Sequence, residues 1–534
     1  MAGVACLRLR SADDEDDDGG TMTSTWAELV GTALLGTDRR GGTPEELLDS
    51  AAHTVLRRRA GIRPAAAGAR PATAPHDPRP PLPEAARRRL AQLLADRSNG
   101  GGGGSRRGTA AHLAELLPQW LAEAHARGWA APPDLLPALL DAARARTDLR
   151  PDALALAGPR GLWLAELNAD WRFALRAGAP GVLPDTGDPH AVRTLWEEGL
   201  FAERVALLTR LRALDPDRAR ELLRSGWAAE RSEDRLMFLD SLRQGLSPQD
   251  EPFLEQALTD RSRNVRATAA ELLSALPGSA LASRMAARAR TCVAWDPAGG
   301  RIVVEAPYAC EPAMERDGVV AIPPAGRGER AWWLGQVVDA APLAMWRERF
   351  GGRTPQEIIA LPVADDWQAD LHAAWCRAAV RQGDAAWARA LLGPTPAPAT
   401  VVSPVGDPAR LLSVLPARER AEWVARFIAA HGLSEAFQML AVCAVPWSAT
   451  LGAAVVDALD IARDAGSYPW SFSGVMGLAE RCMDPALADR AAPLAAVPVE
   501  SADTSPGAGA YWAEAFQRLV GTLRLRAAML EELG

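Results

Sequence analysis

EPFLEQALTDRSRNVRATAAELLSAL, running from Glu251 to Leu276, reads as two helices joined by a tight polar corner. Pro252 suits the first turn of the first helix, where its missing N–H is not needed. Phe253, Leu254, Ala257 and Leu258 share one side of that helix, and Thr259 to Asn264 makes the corner. In the second helix Val265, Ala269, Leu272, Leu273 and Leu276 recur at helical period and form a single apolar stripe. A hairpin of this size cannot bury its stripe alone, so the pattern calls for neighbours of the same kind.

Those neighbours are legible on both sides. Helical patterns run over His190 to Glu197, Phe201 to Ala213, Pro216 to Gly226 and Ser232 to Gln244. The helices opening at Pro216 and Pro252 are offset by about 35 residues, a helical-hairpin period, which predicts a repeat array over residues 191–290. The pattern L-x-D-x-x-x-x-V-R-x-x-A-x-x-L-L-x-x-L, from Leu258 to Leu276, resembles the HEAT repeat. Asp260 and Arg266 stand where HEAT repeats link adjacent units. The expected fold is mainly α, a HEAT-like α-solenoid of helical hairpins with a small β insertion.

Further out, residues 1–22 carry the acidic run Asp13 to Asp18 and no apolar periodicity, so a disordered tail is expected there; Met22 is a second candidate first residue. Residues 23–190 read as a helical region, with Trp26, Leu29, Val30, Ala33 and Leu34 on one side of its first helix. It is interrupted by an Ala- and Pro-rich connection at 60–83 and a glycine-rich one at 97–108. Residues 291–325 break the helical pattern: Cys292 to Trp295, Arg301 to Glu305 and Val319 to Ile322 read as strands. Residues 326–534 return to helices and end in Tyr511 to Glu532. Trp512, Ala515, Phe516, Leu519, Val520 and Leu523 share one face of that last helix, which is expected to cap the array.

Charge and composition narrow the function. The chain has 67 acidic against 59 basic residues, a net charge of −8, which argues against nucleic-acid and membrane-surface binding. Every basic residue is arginine, so a P-loop lysine and Schiff-base chemistry are excluded. Cys6, Cys292, Cys310, Cys376, Cys443 and Cys482 form no C-x-x-C pair, which fits buried thiols in a reducing compartment. No apolar run reaches the ~18 residues of a membrane span, and the amino terminus leads into Asp-rich sequence instead of a signal peptide. A cytoplasmic protein with no membrane partner is expected.

No segment carries an established chemistry. The seven histidines make no zinc-binding helix, and there is no nucleophile elbow or dinucleotide turn. The glycine run has no preceding strand and no following Lys-Ser/Thr, so it is no phosphate cradle. His372 and Cys376 lie four residues apart and are the only nucleophile and base paired by spacing; ordinary packing is the expected reading. Glu305, Glu311, Glu315 and Asp317 read either as a cation site or as a solvated rim, and they lack calcium-loop spacing. No catalytic residue, metal or cofactor is therefore expected. Candidate partner-binding residues are Arg160, Trp171 and Arg172 in GPRGLWLAELNADWRF (Gly158 to Phe173), and Trp332 and Trp333 in RAWWLGQVV (Arg330 to Val338), because Trp and Arg dominate binding hot spots. The competing reading makes these aromatics core.

Those two segments, LVGTALLGTDRR at Leu29 to Arg40 and the HEAT-like unit together resemble an uncharacterised family of bacterial helical-repeat proteins, over most of the chain from Thr23 onward. In that family the gene commonly lies beside genes for a MoxR-type AAA+ ATPase, a von Willebrand factor A-domain protein and a SWIM zinc-finger protein. The resemblance implies a scaffold or adaptor for a protein partner and carries no catalytic residues. Two function classes stand: a non-catalytic protein-interaction scaffold, and a nucleic-acid-binding protein of the HEAT-like DNA glycosylase kind, in which Trp, Arg and Asp on a concave face hold a duplex. The charge of −8 disfavours the second.

Overall fold

The computed structural model describes residues 26–40, 42–61, 71–99, 113–176, 186–394, 408–497 and 507–534. The acidic stretch 1–22, residues 62–70 and residues 100–108 with the glycine run lie outside them. Among the described residues the chain is mainly helical, and its one sheet has two strands. No described helix is long and apolar enough to cross a membrane.

Residues 251–276 form helices at Glu251–Ala257 and Arg263–Ser274. Phe253, Leu254, Ala257, Leu258, Val265, Ala269, Leu272, Leu273 and Leu276 are all buried, each large aliphatic side chain stabilising the fold by roughly 1.5–3 kcal/mol. The corner is held from two sides. Asp260 accepts the Ser262 N–H at 2.8 Å and pairs at 3.0 Å with Arg235 of the preceding Ser232–Asp240 helix. Arg266 reaches back to donate to the Asp260 carbonyl at 2.7 Å. The chain then enters the Ala280–Cys292 helix through Ser279, whose hydroxyl donates to the Leu273 carbonyl and accepts the Ala282 N–H.

Successive helices are tied by buried aspartates, each gripped by at least two arginines. Asp250 takes Arg212 at 2.9 Å and Arg220 at 3.1 Å. Asp317 takes Arg284 at 2.9 Å and Arg288 at 2.7 Å. Asp339 takes Arg381 at 3.0 Å and Arg377 at 3.2 Å. In the last two cases the arginines stand one helical turn apart, so one helix face grips one carboxylate. A planar guanidinium presents several N–H groups to a buried carboxylate where a lysine offers a point charge, which suits a lysine-free chain to these junctions. Asp317 is thus no solvated rim residue: it is buried, and its charge is met by arginines.

The insertion differs from expectation at one strand. Val293–Asp296 and Arg301–Val304 pair antiparallel, with Val293 opposite Val304. Val319–Ile322 is not a strand. Its backbone is taken by side chains instead: Val320 donates to Gln336 and accepts from Trp332, and the Ala321 carbonyl accepts from Trp333. A segment whose backbone groups are already satisfied has no ladder to offer a sheet.

Two hydrophobic cores result. The larger runs from Val192 to Leu523 through the middle and carboxy-terminal helices. The smaller is built from residues 82–174 and also contains Met529 and Leu533. The Ala508–Leu533 helix therefore serves both, with Trp512, Phe516 and Leu519 in one core and its last turn in the other. Polar contacts reinforce the junction: Arg89 pairs with Glu532 at 2.6 Å, and Trp129 Nε1 donates to the Leu533 carbonyl at 3.1 Å.

Residues 60–61 of the expected 60–83 connection belong to the Pro44–Gly61 helix, and residues 71–83 are pinned against the smaller block. Arg79 bonds Asp77 through two nitrogens, at 3.0 and 2.7 Å, and donates to the carbonyls of Trp129, Ala155 and Leu156. Gly158 makes the fit possible, because its φ is +56° and any Cβ there would collide with the Arg79 guanidinium. The Trp26–Leu35 and Pro44–Gly61 helices pack on each other but contribute to neither core. They leave Leu34, Leu35, Leu48 and Leu56 exposed.

Candidate functional site

The five partner-binding candidates fall into two separate places. Arg160 is half-buried just past the Gly158 kink. The bond from Arg79 holds the Asp77 carboxyl below its ordinary range, against the opposing effect of burial, and the Arg160 charge adds to it. Trp171 packs on the smaller core and donates to Asp141 at 3.0 Å, while Arg172 is exposed. Trp332 and Trp333 belong to the larger core, where their indoles hold residues 320 and 321. The structure does not join these two groups into one surface.

The His372 and Cys376 pair is packed away. Both are buried, and the imidazole stacks toward Trp375 with ring centroids 5.8 Å apart. Burial pushes the Cys376 thiol up to about 12 and pulls His372 down, so neither a thiolate nor an imidazolium forms near neutrality. Cys443 is likewise pushed up to about 11 by burial. Both thiols stay protonated and shielded at pH 8, so iodoacetamide leaves Cys376 and Cys443 unlabelled in the native chain and labels both in urea. Peptide mass spectrometry checks this; native labelling at the unfolded rate would contradict it. Among the described residues, no group of three or more His, Cys, Asp or Glu side chains could hold a metal ion.

Sequence periodicity misses a cluster of surface aromatics. The Ala449–Asp464 helix ends in a turn where Gly466 adopts φ +72°, with Ser467 N–H donating to Ala462 O and Gly466 N–H to Arg463 O. Tyr468 and Trp470 follow, stacked at 4.2 Å with an interplanar angle of 11°. Tyr511, from the start of the last helix, meets Trp470 edge-on at 5.4 Å. Trp470 is 56% and Tyr511 50% exposed. The turn is braced from inside by Trp512, whose Nε1 donates to the Ser467 carbonyl at 2.6 Å. A signal was present: two of the chain's three tyrosines lie here, and Tyr468 and Trp470 sit in a short turn instead of on a helical stripe.

A second feature lies at the junction of the two cores. A half-open cavity of about 200 Å³ is walled by Leu116 and Trp120 of the Leu113–Ala126 helix, by Pro446, and by Arg526, Met529 and Leu533 of the last helix. Arg526 is 8% exposed. Burial lowers its proton affinity, as expected for a cation taken from water. Its signal in the sequence is a charged residue between Leu523 and Met529 on the apolar stripe of the last helix.

The chain belongs to the Family of unknown function (DUF5691), whose model matches residues 28–533. No curated protein matches it.

Proposed function

We propose that this member of a family of unknown function is a non-catalytic protein-interaction scaffold or adaptor, built as a HEAT-like α-solenoid. It works in the cytoplasm beside a MoxR-type AAA+ ATPase and a von Willebrand A-domain protein. The observation that carries the reading is the braced aromatic cluster in which half-buried Tyr468 stacks on the exposed Trp470 and Tyr511 meets it edge-on, itself exposed. Water-exposed aromatics held rigid by a buried neighbour lose little entropy on binding, and Trp and Tyr anchor interface hot spots. The exposed leucines of the first two helices offer a second apolar surface. The solenoid reading is supported by the Asp260–Arg235 tie between consecutive hairpins and by the continuous core from Val192 to Leu523. A glycosylase-type alternative needs a free carboxylate in a basic groove, and it gains nothing from Asp250, Asp317 and Asp339, each held by at least two arginines.

The test is direct. Purified full-length chain is titrated calorimetrically with the ATPase and with the A-domain protein from the same genome. At least one binds with Kd below ~10 μM, about −7 kcal/mol. No heat of binding with either partner would defeat the proposal.

A further inference from the structure

The cavity at the core junction contains donors without acceptors. The Arg526 Nη1 group donates to the carbonyls of Glu480 at 3.2 Å and Met483 at 2.6 Å, while Nε and Nη2 have no acceptor among the described residues. The nearby carboxylates are engaged elsewhere. Glu480 is paired with Arg518 at 2.8 Å, Asp484 accepts the Ala486 N–H at 2.9 Å, and Glu123, at the cavity edge, pairs with Arg127. Trp120, 2% exposed, adds an indole to the wall. Both residues line the same cavity, and most of the remaining wall is hydrocarbon.

We propose that this cavity is a binding site for a small monocarboxylate with a short apolar tail. A buried guanidinium with its Nε/Nη2 edge open recognises a carboxylate through parallel N–H···O bonds. The tail lies against Leu116, Met529 and Leu533. A neutral ligand makes no ion pair with Arg526, and an amine adds a like charge beside it. The volume agrees with the class: about 200 Å³ exceeds the ~150 Å³ of an apolar cavity that takes benzene. Because its walls come from both cores, the occupant ties the amino-terminal block more firmly to the last helix.

Calorimetric titration of the full-length chain with octanoate and octylamine tests the site. Octanoate binds saturably with one site per chain, and octylamine binds at least about tenfold more weakly. Arg526→Gln lowers octanoate affinity at least about tenfold. Because Arg526 also holds two backbone carbonyls, a second variant is needed: Ala122→Trp, built on an exposed cavity-edge position, fills the mouth without disturbing the core. It abolishes octanoate binding while leaving the thermal midpoint of the unliganded chain unchanged. Absence of saturable octanoate binding at millimolar concentration, equal affinity for octylamine, or full affinity in Ala122→Trp would each overturn the proposal.

Discussion

Asp250→Ala lowers stability by about 3–5 kcal/mol, the cost of leaving a buried charge without its partner. Asp250 is 0% and Arg212 1% exposed. Arg212 meets both carboxylate oxygens, at 3.0 and 2.9 Å, and donates to the carbonyls of Gln244, Pro216, Leu242 and Gly245. One guanidinium thus joins the start of the Pro216–Gly226 helix to the turn that precedes Glu251. Removing the carboxylate strands the Arg212 charge, leaves Arg220 with Asp217 alone and leaves the Ser247 N–H without its acceptor. Arg212→Lys is also strongly destabilising, since an ammonium cannot reach this set of acceptors. The control is Glu271→Ala, which breaks the half-exposed pair with Arg243 at 3.0 Å. That change costs at most ~1 kcal/mol because solvent already screens the pair. Urea midpoints followed by circular dichroism rank the three, and an Asp250→Ala shift no larger than that of Glu271→Ala would contradict the clamp.

The double substitution Met529→Asp, Leu533→Asp detaches the amino-terminal block from the rest of the chain. Both side chains are buried, at 5% and 1% exposure, in a core otherwise made by residues 82–174. Losing two such contacts removes roughly 3–6 kcal/mol of apolar burial, and each new carboxylate adds a desolvation cost. Amide exchange in Glu84–Asn99 and Leu113–Ala126, the helices covered by the last helix, rises by about a hundredfold or more. Exchange in Arg263–Ser274, which belongs to the larger core, stays unchanged. Hydrogen-exchange mass spectrometry reads both, and a uniform rise across the chain would show that the two cores unfold together.

The helical content and the hairpin at 251–276 were open to reading because a stripe at period 3.6 needs only local sequence. The long-range ties were not. Asp317 sits in an acidic-looking run, and only the fold brings Arg284 and Arg288 onto it. Val319 to Ile322 has the composition of a strand, and its conformation is decided by indoles 12 residues away. Trp332 and Trp333 satisfied the hot-spot rule by residue type, yet their N–H groups serve the backbone. Trp470 lacks a periodic setting, so a search for stripes passes over it. The cavity depends on residues 116–120 meeting residues 526–533, a separation that no local pattern encodes.

The proposed docking of a protein through the exposed Trp470 and Tyr511 is put to the test by Trp470→Ala in the calorimetric titration. Removing this side chain leaves both cores untouched and takes away a hot-spot anchor worth about 2 kcal/mol or more. The circular dichroism melt stays identical to that of the parent chain, while affinity for the bound partner falls by about thirtyfold. Undiminished affinity in a correctly folded Trp470→Ala chain would contradict it.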